Sequence, residues 1–131
     1  MLIDGGSNIE GSSTLTVQPI TPGTTIGIGD GSSGTLVLNG GFEDALADGF
    51  SSITIGDATS GDIDIVTATF NDPLMLTTGG KVHDGAGTDL NMPGGDTATV
   101  DGIVSPGQSP GILNVTGNFA FANDSTFEVE M

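Results

Sequence analysis

Ile26-Gly27-Ile28-Gly29-Asp30-Gly31-Ser32-Ser33-Gly34-Thr35-Leu36-Val37-Leu38 is followed, 27 residues on, by Ile53-Thr54-Ile55-Gly56-Asp57-Ala58-Thr59-Ser60-Gly61-Asp62-Ile63-Asp64-Ile65. Six of the 13 positions are identical, and the apolar residues of each apolar-x-apolar pair are matched in type. Each copy reads apolar-x-apolar, a Gly-Asp corner, then apolar-x-apolar. A spacing of two puts both apolar side chains on one face of a strand, and the segment between has the chemistry of a turn. Another step of 27 sets Val82 under Ile55, Asp84 under Asp57, Asp89 under Asp62, Leu90 under Ile63 and Met92 under Ile65, a weaker third copy. Self-similarity at a period of roughly 20–50 residues marks a solenoid, a propeller or an array.

Two short strands and a corner, recurring at this interval, predict an all-β fold: a parallel β-helix, or β-solenoid, with about five coils of roughly 27 residues spaced about 4.8 Å apart. The 131 residues form a single domain in this reading. Residues 1–23 make an irregular first coil or partial cap, 24–102 the regular coils, and 103–131 irregular terminal strands. Ile28, Leu36, Leu38, Ile53, Ile55, Ile63, Ile65, Leu90 and Met92 are expected to point inward, and Val37, Asp64 and Asn91 outward. Phe42 to Leu46, with Gly49 beyond, reads as a single helical turn. Val66 to Leu76 reads as strand with Pro73 at its bend. After the turn chemistry of Ile103 to Gly111, three short alternating segments follow: Leu113-x-Val115, Phe119-x-Phe121 and Phe127-x-Val129. They are either the irregular end of the same solenoid or a separate hairpin module.

Composition narrows the function classes. One Lys stands against 17 acids, a net charge of −16, so the cations that displace counterions from nucleic-acid phosphates or hold an anionic membrane are missing. No nucleic-acid partner is expected. No apolar run is long enough to span a bilayer, so no membrane insertion is expected either. Cysteine is absent, which removes disulfides, thiolate metal sites and cysteine nucleophiles. Thirteen of the 17 acids are Asp, a turn-forming residue and a common calcium ligand.

In the 27-residue register Asp30, Asp57 and Asp84 stack as one ladder, and Asp62 and Asp89 as a second. Like charges on neighbouring strands repel. Each Asp either accepts amide hydrogen bonds within its own turn and faces water, or calcium bridges successive coils. Asp84-Gly85-Ala86-Gly87-Thr88-Asp89 partly matches a calcium-binding nonapeptide, although Asn91 stands where that motif needs an apolar residue. Calcium is the one cofactor considered. His83, the single histidine, falls at the corner position of Gly29 and Gly56 and is expected to be solvated there. A carboxylate pair such as Asp62 and Asp64 lacks the Trp and Tyr platforms of carbohydrate enzymes. An enzyme is therefore not expected. Asn114-Val115-Thr116 and Asn123-Asp124-Ser125 spell glycosylation sequons, read here as asparagines at strand ends or loops.

Thr25-Ile26-Gly27-Ile28-Gly29-Asp30 to Leu38, with Leu46-Ala47-Asp48-Gly49-Phe50-Ser51-Ser52-Ile53-Thr54-Ile55-Gly56, resembles rows of filamentous-haemagglutinin-type secreted proteins. Val104-Ser105-Pro106-Gly107-Gln108-Ser109-Pro110-Gly111-Ile112-Leu113-Asn114-Val115-Thr116-Gly117-Asn118-Phe119 resembles the autotransporter-associated β-strand repeat. The resemblance implies a right-handed parallel β-helix passenger of a large exported bacterial protein, extracellular or at the cell surface. The start of this chain shows no export signal, so it is expected to be a mature or excised piece.

The function expected is that of a structural or adhesive segment: a rigid rod for reach and surface display, continued by a longer parent chain and contacting a host or neighbouring cell. The alternative is a self-assembling homo-oligomer whose ends stack head to tail into an extracellular filament. The proline-free strands from Phe119 to Met131 look the stickier end, and Pro at Glu128 is expected to block pairing there while sparing inner coils.

Overall fold

The computed structural model describes residues 8–106 and 112–129, with the side chains of 84–88 set aside. Residues 107–111, within the Pro-Gly turn, lie outside the described residues, as do the chain's first seven and last two. The architecture is almost entirely β. It comprises β1 (Thr14–Val17), β2 (Ile26–Ile28), β3 (Leu36–Leu38), α1 (Gly40–Ala45), β4 (Ser52–Ile55), β5 (Ile63–Thr69), β6 (Leu74–Asn91), β7 (Thr97–Val104), β8 (Leu113–Thr116), β9 (Asn118–Phe121) and β10 (Thr126–Phe127).

Every strand pairing is parallel, and together the strands form one curled sheet. The long strands β5, β6 and β7 bend at register shifts, so each contributes to more than one row of pairs. In the first row β1, β4, β6, β7 and β9 stack, with Leu15, Ile53, Leu74, Ala98 and Phe119 in one file and Val17, Ile55, Leu76, Val100 and Phe121 in the next. In the second row Leu36, Ile26, Ile63, Val82, Val104 and Phe127 follow one another. In the third row Ala68, Leu90 and Val115 line up. Files of Ile, Leu and Val stacked strand over strand are what parallel pairing of apolar-x-apolar segments must give, because each pairing keeps the facing of its neighbour.

These files converge on one apolar core. Ile26, Ile28, Leu38, Ile53, Ile55, Ile63, Ile65, Leu74, Leu76 and Leu90 are all at most 1% exposed. Of the nine residues expected to face inward, eight are buried; Leu36, on an edge strand, is half-buried against the core. Val37 and Asn91 are half-buried. Asp64, expected to stack outward, is only 3% exposed because chain lies over it. The loop after β2 folds over this part of the sheet, and the Ser33 N–H donates to Asp64 Oδ2. Gly27, paired with Asp64, leaves room for the loop, since a Cβ there would meet Ser32 Oγ and the Ser33 carbonyl.

The 27-residue interval is not the stacking interval. Ile26 pairs with Ile63, 37 residues on, and not with Ile53. Along the first row the steps from Leu15 to Ile53, Leu74, Ala98 and Phe119 are 38, 21, 24 and 21 residues. What recurs in the sequence is a strand followed by a corner, and this unit serves the first row at Ile53–Ile55 and the second at Ile26–Ile28. Gly29 and Gly56 have the same role in both copies. Each has a positive φ, +92° and +84°, and a Cβ at either would collide with a carbonyl of the next pass of chain, that of Thr67 or Thr77. Only glycine meets both demands. The long first steps arise because β3 and α1 are inserted between β2 and β4.

The helical turn expected near Phe42 is α1, capped by Asn39, whose side chain accepts the Phe42 N–H at 3.1 Å. Pro73 sits at the bend between β5 and β6. The segments after Leu113 are not a hairpin: β8, β9 and β10 each add to an existing row by parallel pairing. The partial cap expected from 1–23 includes β1, which is already a member of the first row.

Candidate functional site

The expected aspartate ladders do not form, because they depended on the 27-residue register. Asp30 Oδ1 accepts the N–H of Gly40, the first residue of α1, at 2.9 Å. Asp57 Oδ1 accepts the N–H and hydroxyl of Thr59 and the hydroxyl of Ser60, which hold its carboxyl below the usual range. This is an aspartate serving its own turn. Asp62 Oδ1 accepts the Lys81 N–H at 2.8 Å. Asp89 lies in the third row between Thr67 and Asn114, and the backbone of Asp84 pairs with Ile65; the Asp84 side chain lies outside the described residues. Among the described residues no group of three His, Asp or Glu side chains comes together to hold a metal ion. Among the described residues no helix is long and apolar enough to cross a membrane.

His83 is not at a corner. It lies in β6, paired with Asp64, with its Nδ1 3.4 Å from Asp64 Oδ1. The pair fastens the overlying loop to the sheet through Asp64 and Ser33. Asn114 is an exposed position within β8, and Asn123 follows β9.

Two carboxylates that sequence reading did not single out, the buried Asp72 and the half-buried Glu43, lie near the first strands. Asp72 accepts N–H bonds from Gly49, at 3.0 and 3.2 Å, and from Phe50, at 3.1 Å, and so fixes the corner entering β4. Glu43, in α1, accepts the N–H of Thr69 on β5 at 3.0 Å, while its other carboxylate oxygen is buried without a hydrogen bond. Burial, together with the nearby charges of Asp30 and Asp44 and against the Thr69 hydrogen bond, raises its pKa to about 7. Glu43 therefore satisfies a strand amide on the side of β5 away from β6. Around it the chain closes over the core: Phe42 is 1% and Phe50 7% exposed, and the Ile9 carbonyl and amide bond Ala47 and Ala45.

Among the described residues, nothing comparable covers the sheet at the opposite end. β8, β9 and β10 each pair on one side only. Between them lies an open hollow of about 420 Å³, walled by Val104, Leu113, Val115, Phe119, Phe121 and Phe127. Phe119 and Phe121 meet edge to face at 5.3 Å, and Phe121 and Phe127 at 6.0 Å. Phe121, Phe127, Val129 and Ile112 remain 46%, 53%, 66% and 62% exposed. A single ion pair, Lys81 Nζ to Glu128 Oε2 at 2.6 Å, ties this end to β6. The Glu128 N–H donates inward to the Val104 carbonyl at 2.8 Å, so proline there would damage an inner pairing, contrary to the expectation that it would spare the inner coils. Three strand edges and a patch of apolar side chains on one end are the chemistry of an association surface. The period-2 Phe pattern of the tail was the sequence signal for it.

Compared with known proteins, the chain matches no family model, no curated protein and no solved structure.

Proposed function

We propose that this chain is a structural segment of a β-solenoid rod, wound through five coils and right-handed as its sequence resemblance implies, used for reach and display at a bacterial cell surface. The observation that supports the reading is the first row: five parallel strands whose Leu, Ile, Val and Phe files run through one core. Such a stack resists bending because each coil is held to the next by main-chain hydrogen bonds and continuous apolar packing. Work of this kind needs no converged set of reactive side chains. Intact and permeabilised cells of the source organism, stained with an antibody to this chain, test the proposal. Staining of intact cells is expected; staining confined to permeabilised cells would overturn it. The self-assembly reading is favoured by a separate feature, the uncovered end at β8, β9 and β10.

A further inference from the structure

We propose that Asn39 and Gly40 form a self-modification site: the folded chain converts Asn39, through a cyclic imide with the Gly40 nitrogen, into aspartate and isoaspartate, with Asp30 as the base. This inference goes beyond the rod reading and does not rest on it.

Of the seven asparagines in the chain, Asn39 alone is followed by glycine. Imide formation at asparagine needs the nitrogen of the next residue to reach the side-chain carbonyl carbon. A side chain on that residue obstructs the approach, and glycine has none. The fold then adds contacts to both reactants. The Gly29 N–H donates to the Leu38 carbonyl at 2.9 Å, which ties the corner after β2 to the end of β3. Asp30 is thereby brought to the start of α1, where its Oδ1 accepts the Gly40 N–H at 2.9 Å. A Cβ on Gly40 would lie only 3.0 Å from Asp30 Oδ2, so the missing side chain also lets the carboxylate come this close. The Asn39 side-chain oxygen accepts the Phe42 N–H at 3.1 Å. That donor draws electron density from the Asn39 carbonyl carbon and is already in place for the oxyanion that attack creates there. The nucleophile thus touches a base, and the electrophile touches a hydrogen-bond donor.

In the first step the Gly40 nitrogen attacks Asn39 Cγ while Asp30 takes the amide proton. The N–Cγ bond forms, and the carbonyl electron pair moves onto Oδ1 beside the Phe42 N–H. In the second step that pair returns, the Cγ–Nδ2 bond breaks, and ammonia leaves with the proton that Asp30 gives back. Water then opens the imide. Attack at Cγ gives aspartate, and attack at the main-chain carbonyl gives isoaspartate. The net change is asparagine plus water to an acid plus ammonia. Both products add a negative charge beside Asp30 and one turn from Glu43 and Asp44. Isoaspartate also lengthens the main chain by one carbon at the cap of α1, so the closure built by that turn loosens as the protein ages.

The test follows the full chain at neutral pH and physiological temperature, with peptide mapping for aspartate and isoaspartate at each asparagine. Asp30→Asn is the informative variant. It keeps an oxygen for the Gly40 N–H and removes the base, and Asp30 is exposed, so the core is untouched. Circular dichroism verifies that it is folded. Both products are expected at position 39 ahead of the other asparagines, and Asp30→Asn should slow their appearance at least about tenfold. In urea the parent and the variant should react alike, which assigns the slowing to the folded contact. A folded parent that keeps Asn39 while its unfolded chain is converted, equal folded rates for parent and variant, or a difference that persists in urea would each overturn the proposal.

Discussion

The two ends of the sheet solve the same problem in opposite ways. Both terminate parallel rows, and a terminated row leaves main-chain amides and carbonyls without a strand to bond. Near α1 the chain supplies substitutes: Glu43 takes the Thr69 amide, Asp72 takes those of Gly49 and Phe50, and Phe42 and Phe50 fill the core beneath. At β8, β9 and β10 no such substitutes are present among the described residues, and phenylalanines stand half-exposed. The first end is made of polar side chains folded inward at a cost in desolvation. The second keeps its strand character and its apolar surface. The difference teaches that side chains close part of one end, where β1 and β3 still pair on one side only, while the other end keeps its apolar surface.

The largest effect should come from the core that both ends share. Ile55 is fully buried in the first row between Val17 and Leu76. Ile55→Asp places a charge there without a partner and should cost several kcal/mol, enough to unfold the chain near room temperature. Phe127→Asp, at the uncovered end, should leave the thermal midpoint of the monomer nearly unchanged. Thermal melts of the two variants side by side check the contrast, and a preserved midpoint for Ile55→Asp would break it.

That core was legible in the sequence, since apolar-x-apolar spacing reports facing whatever row a strand belongs to. Strand order was not. Ile26-x-Ile28 and Ile53-x-Ile55 look alike because each precedes a Gly-Asp corner under the same steric demand, yet they lie on different rows. The aspartate ladders failed with that register. Asp64, Asp72 and Glu43 were illegible for another reason: their roles depend on amides of Ser33, Gly49, Phe50 and Thr69, more than 20 residues away, and no local pattern announces them. The stickiness of the tail was legible from its alternating phenylalanines, but the inward direction of the Glu128 amide was not.

A smaller effect tests the closed end directly. Asp72 is 5% exposed and accepts the amides of two consecutive residues. Asp72→Ala strands both and should destabilise by about 1–3 kcal/mol. Hydrogen exchange should then quicken at Gly49 and Phe50 while the amides of β9 exchange as before. Faster exchange at both ends together would show that the two are not independent.

Glu43 gives the closed end a pH dependence opposite in sign to that of Glu128, whose carboxyl the Lys81 hydrogen bond holds below its ordinary range. The folded-state pKa of Glu43, about 7, lies above the ordinary 4.5, so the stability it contributes is complete below 4.5 and is lost as pH rises through 7. At about 1.4 kcal/mol per unit the full window would amount to roughly 3 kcal/mol, and partial exposure of the side chain reduces that to about 1 kcal/mol. Glu43→Gln keeps an oxygen for the Thr69 amide and abolishes the titration. Denaturant melts at pH 5 and pH 8 should show the variant gaining about 1 kcal/mol on the parent between the two. A gap that does not change with pH would mean that Glu43 is solvated and α1 does not close the sheet.

The smallest effect distinguishes screening from ion binding. Repulsion among Glu43, Asp30 and Asp44 at the closed end, added to that of the −16 as a whole, should relax as salt rises, over a Debye length of about 8 Å at physiological ionic strength. At the uncovered end the Lys81–Glu128 pair is weakened by the same salt, since both side chains are 40–45% exposed. The two responses oppose each other, so the net rise in stability should be no more than about 1 kcal/mol. Calcium chloride at matched ionic strength should give the same rise as sodium chloride, because Asp30, Asp57 and Asp62 each serve a different amide and do not converge. Thermal melts in the two salts make the comparison. A further gain specific to calcium would require carboxylates from separate strands to meet at one ion, and the description of the aspartates as turn-formers would have to be given up.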